Sequence, residues 1–224
     1  MTKARSERVK PPECGRHGGF SLTELLVVLA ILILLMGAAA PTLMKSDQRA
    51  RQAARELVKG HLQRARSHAI AQGVATAVVI ADYAAGEEQG GKMFGMAEVE
   101  WKVDPQQLAG RYQVTRVLQR WEMLPGTIFV FSQSAAQHAR ATVMEQACRA
   151  PVMLSGRSVT GVLIVFSANG QIVSPSQGPI ELLLGQGRVS GGQVVAISKS
   201  GQSLACDRLQ INRLTGRARQ IDAL

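Results

Sequence analysis

With 224 residues, 46% of them hydrophobic and 4% aromatic, the chain has room for one domain of ordinary size plus an extended element, and a core of that size is buried without a cofactor. The mixture of Gly, Ser, Thr and Val beyond the N-terminal region is that of short strands and turns, which excludes a disordered chain over most of its length. A formal charge of +10 points to an anionic neighbour, whether nucleic acid, phospholipid headgroups or an acidic protein.

The charge is unevenly placed. Residues 1–19 hold Lys3, Arg5, Arg8, Lys10 and Arg16 against Glu7 and Glu13, so +3 lies there and +7 beyond. From Phe20 to Ala40 the only polar residues are Ser21, Thr23 and Glu24. As a helix this run is about 31 Å long at 1.5 Å per residue, enough for a hydrocarbon core of about 30 Å. The basic residues ahead of it predict a cytoplasmic N-terminus, with the rest of the chain on the far side.

Two ordinary readings fit this segment. One is a secretory signal peptide with a small-residue cleavage site at Ala38-Ala39-Ala40; the other is a plain signal anchor. Neither requires Glu24. An acid inside an apolar run is costly, and it implies a function with a partner to be named.

Gly19-Phe20-Ser21-Leu22-Thr23-Glu24, the apolar run and Pro41 resemble the class III leader and N-terminal helix of type IV pilins and type II secretion pseudopilins. The resemblance implies that a prepilin peptidase cuts between Gly19 and Phe20 and that the new N-terminal Phe20 is methylated. Glu24 is then the fifth mature residue and Pro41 the twenty-second, both at family positions. Cleavage creates an ammonium at Phe20, and parallel helices packed with an axial stagger bring it to Glu24 of a neighbour. A carboxylate stranded among apolar helices costs several kcal/mol, so the pairing selects the register. The competing reading keeps Glu24 hydrated near the membrane interface.

Beyond Pro41, which kinks a helix without ending it, Leu43, Ala50, Ala54, Leu57, His61, Ala65 and Ala69 recur at three- and four-residue steps, one face of an amphipathic helix. Arg49, Arg51, Arg55, Lys59, Arg64 and Arg66 decorate the other sides, as a solvated face or one that meets headgroups. The stop falls near Gln72-Gly73. His61 and His68 lie seven residues apart without a third ligand, and they read as packing or surface histidines.

The period then changes. Residues 74–80, 96–103, 112–121, 127–131, 159–166, 180–184, 194–197 and 204–211 read as strands between Gly, Pro, Asn and Ser signals. Residues 84–92 read as a Gly-rich loop, and 132–150 as a helix or long loop. The fold class is α+β: a long N-terminal helix packed on an antiparallel β-sheet or small sandwich. Its parts are a cleaved leader over 1–19, a membrane and filament-core helix over 20–40, an amphipathic continuation over 41–72 and a β-rich head over 73–224.

Leu124-Pro125-Gly126-Thr127-Ile128, Val165-Phe166-x-x-Asn169-Gly170 and Ile211-Asn212-x-x-Thr215-Gly216-Arg217 are similar to the FimT and GspH group of minor pilins and pseudopilins. Arg208, Arg213, Arg217 and Arg219 crowd the C-terminus. Gly216-Arg217-Ala218-Arg219 resembles a Gly-Arg-x-Arg stretch of FimT-like minor pilins linked to DNA uptake, which implies salt-sensitive, sequence-independent phosphate contacts. The same arginines also discourage edge pairing of a terminal strand. If everything beyond the span is exported, Cys148 and Cys206 form an even pair that allows a disulfide, while a free thiol at each fits as well.

No metal, nucleotide or nucleophile motif is present. Gly185-Gln186-Gly187-Arg188-Val189-Ser190-Gly191 misses a dinucleotide fingerprint by one position and reads as a hairpin turn. No enzymatic activity and no cofactor are expected. The expected partners are the prepilin peptidase and N-methyltransferase, other pilin or pseudopilin subunits through the N-terminal helix, an inner-membrane assembly platform, inner-membrane lipid, and secreted substrate or DNA. The expected location is the inner membrane as a single-pass protein with its head in the periplasm, and a filament after assembly.

Overall fold

The computed structural model describes residues 22–85, 89–103, 110–137, 139–191, 193–197 and 206–221, except for the side chains of 36–47. The first element is helix α1, Leu22–Gln72. The chain divides into two units between Lys45 and Ser46.

In the first unit the large apolar side chains of α1 from Leu22 to Leu35 are exposed, from 82% at Leu22 down to 48% at Leu32. Leu, Ile and Val displayed in such number form an apolar surface of the kind that marks membrane or protein contacts. Of the span expected over 20–40, residues 20 and 21 and the side chains of 36–40 lie outside the described residues. Among the described residues, no helix is long and apolar enough to cross a membrane.

The second unit holds the rest of α1, which ends where Gly73 takes a φ of +66°, the left-handed conformation that closes helices at little cost. Among the described residues eleven strands follow: β1 Thr76–Ala81, β2 Met93–Val103, β3 Gly110–Met123, β4 Ile128–Phe131, β5 Cys148–Leu154, β6 Arg157–Phe166, β7 Ile172–Ser174, β8 Ile180–Ser190, β9 Gln193–Ala196, β10 Asp207–Ile211 and β11 Ala218–Ile221. A 3-10 turn, Tyr83–Ala85, follows β1. Helix α2, Val143–Gln146, starts at a capping box in which Thr142 and Glu145 satisfy each other's backbone N–H groups.

The first sheet has the order β3-β2-β1-β6-β5, with β7 also on β6, and the second has the order β11-β10-β8-β4, with β9 also on β8. Every pairing is antiparallel, for example Val78 opposite Ile164 and Leu209 opposite Leu182. The main core joins Ala54, Val58, Leu62, Ala65 and Ala69 of α1 to Val78, Ile80 and Ile164 of the first sheet and Ile128, Leu182 and Leu209 of the second. Burying a side chain such as Leu62 contributes about 1.5–3 kcal/mol, so this helical stripe is what holds the two sheets. Alternate residues of the first sheet, including Val79, Val99, Leu163 and Val165, form a second core on its other face. There Trp121 Nε1 of β3 donates to Met153 O of β5 at 3.1 Å, linking the two edge strands.

The strands read from 74–80 to 204–211 are present with shifted ends, and two departures have physical causes. Strand β5 lies partly in the stretch read as helix or long loop. Pro151 suppresses the strand signal there, yet β5 sits at a sheet edge, where a missing N–H is tolerated. Its hairpin to β6 turns on Ser155 and Gly156, both at positive φ, the two-residue connection that suits twisted strands. The Gly185–Gly191 run is mostly strand, not turn. A Cβ on Gly185 would sit 2.7 Å from the Phe131 ring and 2.8 Å from Cys206 Sγ, so a close approach, not a bend, requires glycine there.

Candidate functional site

Gly19 and Phe20, the expected processing site, lie outside the described residues. Glu24 lies in the first turn of α1, where an acid complements the helix dipole, and α1 runs through Pro41 without ending. Cys148 and Cys206 are both free thiols in the structure. Cys148 begins β5 in the first sheet, paired with Leu163, whereas Cys206 precedes β10 in the second and packs with Phe129 and Phe131. Burial, then the neighbouring Asp207, pushes the Cys206 thiol up to about 11.

The helix arginines are spent largely on the head. Arg55 Nε lies 3.6 Å and Arg51 NH1 3.9 Å from the Asp207 carboxylate, and Arg55 also donates to Gln220 Oε1. Arg66 Nε donates to Gly170 O at 3.1 Å, and Arg64 pairs with Glu122 at 3.5 Å. His61 is fully buried beside Phe94, its Nε2 3.2 Å from Glu122 Oε2 but without standard hydrogen-bond geometry. Burial lowers its pKa, the Glu122 charge opposing and the Arg64 charge adding. His68 meets Glu98 at 3.3 Å, and Arg116 meets the same carboxylate at 2.8 Å. Both histidines thus tie α1 to the β2–β3 hairpin, and among the described residues no group of three or more metal-binding side chains occurs.

The C-terminal arginines do not act as one patch. Arg208 is mostly buried, its Nε 3.9 Å from the fully buried Glu181, which Arg140 also approaches at 3.6 Å. Arg213 donates to Ile172 O at 3.5 Å, to Gly178 O at 3.0 Å and to Pro175 O, clamping the segment after β7. Arg217 and Arg219 remain exposed on the β10–β11 hairpin, Arg219 opposite Gln210.

The hairpin turn is rigid. Asn212 Oδ1 accepts from Leu214 N and Thr215 N, both at 3.0 Å, and Gly216 N donates to Asn212 O at 2.8 Å. Gly216 has a φ of +63°, and a Cβ there would fall 2.6 Å from the Phe166 ring and 3.1 Å from Arg66 Cδ. The Asn-x-x-Thr-Gly pattern is therefore the seat of the turn against α1. Together they border a groove of about 410 Å3 that includes Lys59, Arg66 and Arg217. Sequence reading missed this grouping, because the helix and hairpin cations lie far apart in the chain.

The family model described as the prokaryotic N-terminal methylation motif matches residues 14–40. Among curated proteins, none matches the chain. Among solved structures, the chain is similar to the type IV minor pilin FimU of Pseudomonas aeruginosa, with 18% identity and a TM-score of 0.39 over 80% of this chain and 92% of that one. The motif covers the candidate cleavage site, Glu24 and all of the apolar run over 20–40, so the N-terminal segment is like that of type IV pilins.

Proposed function

We propose that the chain is a structural minor pilin or pseudopilin, assembled into a type IV pilus or a type II secretion pseudopilus, where it serves filament initiation, the tip or substrate contact. The observation that carries this reading is the methylation motif over residues 14–40. The leader holds the precursor in the inner membrane, with the head in the periplasm. The peptidase and methyltransferase convert Phe20 into a modified N-terminus, and the apolar helix joins neighbouring subunits above an assembly platform. The exposed Leu, Ile and Val of α1 supply apolar surface for lipid before assembly and for subunits after it. Glu24 pairs with the Phe20 amine of the next subunit. The activity is mechanical, and no cofactor takes part.

Glu24→Gln tests this assembly role. Leader removal should persist while incorporation into filaments falls, measured by comparing processed chain in membranes with chain in sheared filaments. Normal incorporation of the Gln variant would reject the charge pair.

A second reading, DNA contact by the head, is supported by the exposure of Arg217 and Arg219. Arg208 and Arg213 drop out of it, being occupied within the fold. Binding of duplex DNA by the full chain in detergent should weaken with salt and with Arg217→Ala plus Arg219→Ala. Indifference to both would reject DNA contact.

A further inference from the structure

The groove between α1 and the β10–β11 turn has walls of one electrical sign. Lys59, Gln63, Arg66 and Ser67 line the helical side, and Thr215 and Arg217 the hairpin side. Each of these six side chains donates hydrogen bonds, and the three charged ones are cations. Among the described residues, no carboxylate lines it. The nearby acid Glu56 is 65% exposed and meets Lys59 at 2.9 Å, a surface pair that an incoming carboxylate displaces at small cost.

The walls are also held in place. Arg66 is anchored through Nε on Gly170 O, and Gly216 presses the turn onto Phe166 and Arg66. Donors fixed before binding lose little freedom on binding, so the recess is prepared for an anion.

Shape and charge select which anion. A nucleic-acid backbone presents phosphates in a row and requires a track of cations. Two arginines that would extend such a track from the hairpin, Arg208 and Arg213, are engaged by Glu181 and by backbone carbonyls. A recess of about 410 Å3 suits a short acidic stretch instead. Without residues 1–19 the chain still carries +7, so two processed copies repel and the carboxylates come from a different chain.

We propose that this groove docks an acidic segment, one or two Asp or Glu side chains, of a neighbouring subunit that is not a second copy of this chain. The subunit part of this statement rests on the pilin reading above. The site is built from residues of the second unit and shares none with the processing signal, so either can fail alone.

Carbodiimide coupling tests it, because that reagent joins a carboxylate to a lysine amine. The full chain in detergent is treated with acetylated tetraglutamate amide as the probe, and adducts are mapped by mass spectrometry. Lys59, less exposed at 38% than Lys102 at 53%, should nevertheless carry about fivefold more adduct. Arg217→Gln should remove most of that excess while leaving the Lys102 adduct unchanged. Equal labelling of the two lysines, or a Lys59 adduct indifferent to Arg217→Gln, would overturn the site. Coupling of Lys59 to a second copy in the absence of peptide would overturn the choice of a different chain. Protection of Lys59 by a short DNA duplex at concentrations below those at which tetraglutamate acts would overturn the choice of carboxylate over phosphate.

Discussion

Replacing Arg213 by Ala separates a structural arginine from a ligand-binding one. Its guanidinium reaches three backbone carbonyls, of Ile172, Pro175 and Gly178, and so ties the segment after β7 to the turn after β10. Hydrogen bonds from a charged group contribute about 1.5–3 kcal/mol each in mutational series, without adding fully. One of the three contacts is long, at 3.5 Å. The loss should therefore be about 2–4 kcal/mol, which for a head of this size lowers Tm by about 5–15 °C. Thermal unfolding of the full chain in detergent, followed by near-UV circular dichroism of the head aromatics, measures it. Arg217→Ala and Arg219→Ala are the controls, expected within about 0.5 kcal/mol of the parent because both side chains are exposed. An Arg213→Ala variant that melts with the parent would refute the clamp and return Arg213 to the set of ligand contacts.

The buried His61 makes stability pH-dependent with a defined sign. Its pKa is lowered by burial, so the fold favours the neutral ring. That contribution is complete above the unfolded value of about 6.5 and is lost as pH falls from there through the folded value. Denaturant titrations at several pH values should show stability falling below about pH 6.5, and His61→Gln should flatten that slope; an equal slope in both would contradict it. The cysteines give a chemical check. Without reductant, the denatured chain should take iodoacetamide on both Cys148 and Cys206, whereas in the native chain at pH 8 Cys206 should react slowly, because its thiol, pushed up to about 11, is almost wholly protonated. Failure of both to label without reductant would reveal a disulfide.

The parts of the fold legible in the sequence were those with strong periodicity. Of the helical stripe, Ala54, His61, Ala65 and Ala69 are buried as its spacing implies, Ala50 and Leu57 are half-buried, the Leu43 side chain lies outside the described residues, and Val58 and Leu62 widen the buried face. β1 and β6 announce themselves as apolar runs because both of their faces are covered. β5 was not legible, because proline masks it. β7 and β11 were legible only without bounds, the first as the strand after Asn169-Gly170 and the second as the terminal strand of Arg217 and Arg219, because one is three residues long and the other carries Arg219 and Gln220 on an edge, where no apolar alternation is required. The N-terminal methylation motif was legible because it is local. The basic patch was only half legible: composition shows arginines but not their partners, and the burial of Arg208 and Arg213 depends on Glu181 and on carbonyls from another part of the chain.

The most direct test of the central claim is the mass of the N-terminal peptide from the chain purified out of membranes. The account predicts a peptide that begins at Phe20 and carries one added methyl group, with residues 1–19 gone. A peptide that begins at Pro41, or one that retains Gly19 and the residues before it, would contradict the account.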